Sequence, residues 1–293
     1  MPKPLREYTF SDWARLRPIL HSIKALRYRL IDRAYCRQSP PDGTSESLIS
    51  LCRDRQVIVS IAFNDNELIL AQAKRVRDFI PHATYLIADN SSNADAASAI
   101  ERHCRTNDLP YIRLPKNPWQ GRSAASRSHG QAMNWVWQQI LRPARPSSFG
   151  FIDHDLIPTN ACDPFQKLQT LPFYGDKRWA KDRWFLWAGY CFFRFAEAEE
   201  TGLDFSQDWF IGLDTGGANW RRIYSKWDPA LLPDRKIREA SILPNVELRQ
   251  AYIEWRDDWV HEVGLAGDRA LRAQKRKAFL ELIDTLSKSH QAA

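Results

Sequence analysis

Across 293 residues the sequence has no run approaching the roughly 18 apolar residues that a membrane-spanning helix needs. Its opening segment, MPKPLREYTF, lacks the apolar centre of a secretory signal, so the expected compartment is the cytoplasm. The five cysteines, Cys36, Cys52, Cys104, Cys162 and Cys191, are scattered, odd in number and without a CxxC pair, which argues against a disulfide framework or a cysteine zinc site. There is no internal repeat and no low-complexity tract. What remains is ordinary for a soluble globular chain, 44% hydrophobic and 26% charged, long enough for one large domain or two small ones.

The distribution of charge says more than the net value of +7. Residues 1–56 hold 11 Lys and Arg against 6 Asp and Glu, and residues 266–293 hold 6 against 3, so the middle of the chain is close to neutral. Basic faces at the two ends suit an anionic membrane surface, a polyanionic partner or nucleic acid, and equally a solvated helix surface.

Three segments follow from the pattern. In residues 1–50, Trp13, Leu16, Leu20, Ile23, Leu26 and Leu30 recur at steps of three and four between arginines, which predicts an amphipathic helix over Ser11 to Cys36, bent or restarted at Pro18. Gln38 to Ser47, QSPPDGTSES, reads as a linker. From 51 to 265, apolar runs alternate with helical spacing. Val57–Phe63, Thr84–Ala88, Tyr111–Leu114 and Phe149–Ile152 read as strands, separated by helices over 67–80, 94–105 and 122–141. That alternation predicts a doubly wound α/β sheet, with ligands beyond the carboxyl ends of the strands. Trp184–Phe195 reads as one strand or a pair bent at Gly189, and Ala218–Tyr224 as a helix. Residues 266–293 form a basic amphipathic helix with Arg269, Arg272, Lys275, Arg276 and Lys277 on one face.

The stretch FGFIDHDLIP, residues 149–158, concentrates the chemistry. A buried strand ends in Asp153-His154-Asp155, and alternation puts the two acids on one side. Adjacent carboxylates repel unless a positive charge lies between them, and a hard divalent cation, Mn²⁺ or Mg²⁺, would supply it; a polar turn after a core strand is the plain alternative. Asp65 and Asp89 end the first two strands and should share the crevice, although exposed turn acids and helix caps also stand at such places.

In order and spacing these motifs resemble the nucleotide-sugar glycosyltransferases of GT-A fold, most closely glycosyltransferase family 2, over roughly residues 57–264. The resemblance implies a GT-A-like doubly wound mixed sheet, a Rossmann-like nucleotide-binding half joined to an acceptor half, with helices added at both ends. It implies that Asn64, Asp65, Asp89 and Asn90 receive the base and ribose, and that Arg122 and Arg127, near Gly121, Ala125 and Gly130, face the diphosphate together with Asp153. Ser128 and His129 depart from the family pattern, which has an asparagine in that region. Asp153 and Asp155 match the family's Asp-x-Asp, and His261 in WVHEVG, residues 259–264, matches a histidine that completes the cation site. The general base would come from Asp214 or Asp208, with Asp214 also suited to capping a helix, and Trp187 and Trp220 would meet the acceptor. The implied activity is metal-dependent transfer of a sugar from a nucleoside diphosphate donor, a UDP-sugar first, to a glycan or lipid-linked acceptor in glycan or polysaccharide biosynthesis. No nucleic-acid partner is expected. The basic ends would give peripheral contact with an anionic membrane at its inner face.

Two other readings stay in view. A nucleotidyltransferase also uses paired acids and a metal, but Asn64-Asp65-Asn66-Glu67 offers no glycine-rich phosphate loop after the first strand. A basic nucleic-acid-binding or scaffold protein would have to tolerate acids at successive strand tips, which repel a phosphate backbone.

Overall fold

The computed structural model describes residues 2, 4–43, 45–121, 124–264 and 268–291, with side chains as far as 286. The chain opens with helices α1 (Phe10–Ala14), α2 (Arg17–Cys36) and α3 (Ser45–Cys52). Strands and helices then alternate: β1 (Gln56–Ala62), α4 (Asn66–Phe79), β2 (Thr84–Asp89), α5 (Ala94–Thr106), β3 (Tyr111–Arg113) and α6 (Ala125–Val136). A π-helical turn carries α6 into the short α7 (Arg142–Ala144), followed by β4 (Ser148–Asp153), β5 (Leu156–Pro158), β6 (Phe173–Ala180), β7 (Arg183–Arg194) and α8 (Phe195–Thr201). Strands β8 (Ile237–Ser241), β9 (Tyr252–Arg256) and β10 (Trp259–His261) precede the long α9 (Arg269–Gln291).

Pairing yields a six-stranded mixed sheet in the order β3-β2-β1-β4-β7-β6. Strands β1 to β4 run parallel, β7 is antiparallel to β4, and β6 is antiparallel to β7. Alternation along β1 explains its two cores. Val57, Val59 and Ile61 pack with α6 and α3, through Met133, Trp135, Leu48 and Cys52, while Ile58 and Ala62 pack with Ile69, Val76 and Ile100 of α4 and α5. Strands follow one another outward from β1 to β3, and the chain then crosses to β4 on the other side. Ala62 stands opposite Asp89 and Ile61 opposite Asp153, so three strand ends finish at one level beside that switch point.

A second, four-stranded antiparallel sheet, β5-β10-β9-β8, follows directly from the turn after β4. Ile157, Ile253 and Val260 on its face pack against Leu68 of α4 and Phe279 and Ile283 of α9. The doubly wound mixed sheet and the four parallel strands expected from the sequence are present, and Trp184 to Phe195 is one strand through Arg194 rather than a bent pair.

Several local expectations change. Tyr35, Cys36, Leu48 and Cys52 belong to the main core, and the end of the segment read as a linker, from Ser45, is the start of α3. The helix expected over 218–224 is broken into 3-10 turns at Gly217–Asn219 and Tyr224–Lys226. The basic face of α9 is divided: the Lys275 ammonium is buried and donates to the carbonyls of Glu262 and Val263, and Arg276 pairs with Asp65 and Glu262, while Arg269, Arg272 and Lys277 are exposed.

Gly150 shows how tightly the central strands close. A methyl group added there would sit 2.0 Å from the ring of Phe192, a fully buried residue directly opposite on β7. Gly150→Ala should therefore destabilise the fold by about 1–3 kcal/mol in urea denaturation, and Phe192→Leu in the same chain should recover part of the loss by clearing the ring. Unchanged stability in Gly150→Ala would show that the two strands have slack to separate.

Candidate active site

At the carboxyl ends of the parallel strands lies a cleft of about 1380 Å³. Its walls come from the ends of β1 and β2 through Phe63, Asn64, Asn90 and Ser92, and from the start of α6 through Ser126, Ser128 and His129. Its floor holds Asp153, His154 and Asp155, and its far side Arg178, Trp187, Asp214 and Arg272. The chain turns immediately after Asp153, so His154 lines the cleft with the two acids instead of pointing to the opposite face.

Asp153, Asp155 and His261 offer three ligand atoms that all lie within 4.8 Å of one another. They meet because β5 leaves the floor directly after Asp155 and pairs with β10, placing His261 opposite Leu156. The imidazole Nε2 stands 3.3 Å from Asp155 Oδ1, and Nδ1 stands 3.3 Å from Glu254 Oε2 on the neighbouring strand. Arg256 Nε donates to Glu254 at 2.9 Å, and Arg256 Nη1 donates to Asp176 at 2.5 Å. A carboxylate behind the ring holds the proton on Nδ1, so that Nε2 is the nitrogen that would give up its proton to a cation in the cleft.

Electrostatics bind this row together. Burial works against charge on His261, but Asp155 first and then the hydrogen bonds to Asp155 and Glu254 outweigh it and raise the imidazole to about 9. Burial likewise opposes ionisation of Asp155, yet the positive His261 holds its carboxyl well below the usual range. Glu254 follows the same pattern: burial pushes up, and His261 with Arg256 brings it down to about 2. On the other side, His129 Nε2 lies 3.4 Å from Asp153 Oδ1. Two carboxylates and an imidazole form an oxygen-rich donor set that fits Mn²⁺ well and Mg²⁺ less completely, since imidazole is a poor magnesium ligand.

The remaining expected site residues separate into two groups. Asn64 and Asn90 reach the cleft. Asn64 has a left-handed backbone, φ 55°, and its side-chain oxygen accepts the N–H groups of Ser92 and Asn93 at 2.9 Å, which ties the first two strand ends together. Asn90 Nδ2 donates to Ser128 Oγ at 3.1 Å, and its Oδ1 is buried without a hydrogen-bond partner among the described residues. Asp214 is exposed on the cleft wall, where Gln207 Nε2 and the Thr215 N–H donate to its Oδ1, each at 2.8 Å.

Asp65, Asp89, Arg127, Asp208 and Trp220 are not brought to the cleft. Asp65 caps α4, accepting from the Leu68 N–H at 3.1 Å, and pairs with Arg276. Asp89 is fully buried and held by Arg113 at 2.8 Å, Tyr111 at 3.0 Å and the Ser91 N–H at 2.8 Å. Arg127 pairs with Asp32 of α2 at 2.5 Å and lies over the rings of Tyr28 and Trp119, which makes it an anchor for the N-terminal helix. Asp208 is buried behind the loop, where burial raises its carboxyl, and Trp220 packs against the main core. Arg122 lies outside the described residues. Trp187 is in the cleft, with its ring centre 5.0 Å from that of His261 and the guanidinium groups of Arg256 and Arg178 over its faces at 4.7 and 5.1 Å.

The sequence reading passed over Glu254, Arg256, Arg178 and His129. A signal for Glu254 existed: YIEWR and WVH flank Asp257-Asp258, a hairpin pattern whose register sets Glu254 opposite His261.

No protein-family model matches the chain, and no curated protein does. Solved structures match in part. The chain is similar to the mannosyltransferase PcManGT from Pyrobaculum calidifontis, a complex with GDP-Man and Mn²⁺, at 17% identity and a TM-score of 0.38, over 65% of this chain and 57% of that one. It is similar to the galactosyltransferase LgtC, in complex with donor and acceptor sugar analogues, at 14% identity and a TM-score of 0.34, over 49% of this chain and 59% of that one. It is also similar to S. aureus TarS, at 11% identity and a TM-score of 0.34, over 52% of this chain and 30% of that one. In each case less than two thirds of the other chain is spanned. Likenesses this partial leave function to be read from the cleft itself.

Gly189 on β7 gives the first acid its room. A methyl group there would lie 2.3 Å from Asp153 Oδ2 and 2.3 Å from the Trp187 ring. Gly189→Ala should swing the Asp153 carboxylate away from Asp155 and His261 and weaken Mn²⁺ binding, followed by electron paramagnetic resonance, by about tenfold or more. Its melting temperature should stay within about 5 °C of the parent. Undiminished Mn²⁺ affinity would show that Asp153 is not a ligand.

Proposed function

We propose that the protein is a metal-dependent glycosyltransferase that moves a sugar from a nucleoside diphosphate sugar, a UDP-sugar first, to an acceptor hydroxyl on a glycan or a lipid-linked saccharide. The observation that carries this reading is the convergence of Asp153, Asp155 and His261 on the floor of a cleft that is also lined by polar side chains suited to a base and a sugar. A divalent cation held by these three would offset the charge that builds on a departing diphosphate.

The protein's own groups supply the other roles. Asn90 Oδ1, a buried acceptor on the wall, suits the imide or amide N–H of a nucleobase, and Asn64 holds the two strand ends that frame it. Arg178 and Arg272 bring positive charge to the side facing Asp153, where a diphosphate would lie. Trp187, half-buried in the cleft wall, would contact the sugar or the acceptor beside the guanidinium groups that cover its ring. Asp214 is our candidate for the general base that takes the acceptor proton, a role supported by Gln207 and Thr215 holding one carboxylate oxygen and leaving the other available. Its position in the cleft favours it over Asp208. The cleft's acids, continuous with the metal floor, speak against a nucleic-acid partner.

Release of nucleoside diphosphate from a panel of UDP- and GDP-sugars, with candidate acceptors, tests the reading. Turnover should require Mn²⁺ or Mg²⁺ and stop in excess chelator. Asp214→Asn keeps the oxygen that Gln207 and Thr215 hold but accepts no proton at neutral pH, so turnover should fall about a hundredfold or more while donor affinity is unchanged. Turnover that survives the chelator would refute the metal role, and near-normal turnover in Asp214→Asn would refute the base.

A further inference from the structure

Helix α2 turns outward the residues that a helix on a globular body normally buries. Leu16, which precedes the helix with a left-handed backbone, is 58% exposed, and Ile19, Leu20, Ile23, Leu26 and Leu30 of the helix are each 54 to 60% exposed. At 3.6 residues per turn they form one row, on the side opposite Pro18, Ala25 and Cys36, which are buried against the body. Phe10, 90% exposed, and Trp13 of α1 extend the apolar surface. A 20-residue helix is about 30 Å long, and so continuous an apolar strip is more than soluble monomers usually leave bare.

Charge selects the occupant. The three acids between residues 5 and 37 all point inward: Glu7 pairs with Arg183 at 3.2 Å, Asp12 with Arg17 at 2.6 Å and Asp32 with Arg127 at 2.5 Å. Arg15, Arg27, Arg29 and Arg33 are exposed beside the apolar row. The outer surface is therefore apolar and cationic with no exposed acid. A second copy docking through the same strip would set arginine against arginine, since a two-fold contact presents the same charges from both sides. An anionic lipid surface offers both complements at once, acyl chains for the leucines and isoleucines and phosphates for the arginines.

We infer that α1 and α2 form an in-plane membrane anchor, with the apolar row sunk among the upper acyl chains and the arginines on the headgroups of anionic lipid. The face expected from the sequence to bind membrane was the basic one; in the structure the apolar row leads and the cations flank it. The inner side of α2 rests on Arg127 of α6 and, through His21, on Trp209 and Phe210 at the start of the loop that reaches Asp214. On the glycosyltransferase reading, an acceptor carried by a lipid would approach that loop. The anchor itself is independent of that reading and is measured without turnover.

The test is co-sedimentation of the full-length protein with vesicles of phosphatidylcholine alone and of phosphatidylcholine mixed with phosphatidylserine. We expect binding to the mixed vesicles, about tenfold or more stronger than to phosphatidylcholine alone and weakened by salt. Changing Ile19, Ile23 and Leu26 together to serine should reduce binding about a hundredfold or more with the melting curve unchanged, because these side chains contact solvent. Changing Arg15, Arg27 and Arg33 together to glutamine should also weaken it about a hundredfold and flatten its salt dependence. Absence of binding to the mixed vesicles, equal binding to both kinds, undiminished binding by the serine variant, or a solution dimer that the serine variant dissociates would each overturn the inference.

Discussion

Everything at the candidate site depends on how two carboxylates at the end of one strand are kept together. Asp153 and Asp155 close the central parallel sheet, where their mutual repulsion would favour a splayed turn. Before a cation binds, the second sheet prevents that by presenting an imidazole kept protonated: His261 faces Asp155 on one side and Glu254 on the other, and is raised to about 9 by them against the pull of burial, and a bound cation would displace its Nε2 proton. Arg256 and Arg235 continue the alternation of charge by meeting at Asp176, so the row is anchored well below the cleft. The four-stranded sheet thus serves as a backing plate that aims Nε2 into the cleft. Helix α9 clamps the same plate, with Phe279 and Ile283 in its core and Lys275 and Arg276 tied to Glu262, next to the histidine.

Much of the central sheet was legible because it depends on local patterning. Val57–Ala62, Thr84–Ala88 and Phe149–Ile152 are apolar runs of strand length that stop at polar clusters, and nothing distant is needed to read them. Asp153 and Asp155 were legible for the same reason. Residues whose role is fixed by a distant partner were not. Asp65 and Arg276 stand 211 positions apart, and Arg127 and Asp32 stand 95 apart, so acids and an arginine that looked available for a nucleotide are consumed in pairs invisible to local reading. Asp89 belongs with them, since Arg113 and Tyr111 close over it from the next strand. The hairpin that carries Glu254 was obscured by its aromatics, Trp255 and Trp259, which blur a period of two.

The N-terminal segment shows a different limit. Periodicity identified a helix with an apolar and a basic aspect, but it cannot say which aspect meets the body. The decision rests on specific contacts: Asp32 with Arg127, Trp119 Nε1 donating to Asp32 at 2.8 Å, and Tyr28 edge-on to Trp119. These draw the polar and aromatic side of α2 inward and leave its leucines and isoleucines outside. Polar anchoring of one face is what frees an apolar face for something other than the core.

The account stands on a cation lying between the first sheet's acids and the second sheet's histidine. Crystals grown with MnCl₂ and a nucleoside diphosphate, measured at the manganese edge, test this most directly. The account predicts an anomalous peak bonded to Asp153, Asp155 and His261 Nε2, with the diphosphate completing the coordination. Diphosphate bound in the cleft with no anomalous peak at these residues, or a manganese peak on other residues, would contradict it.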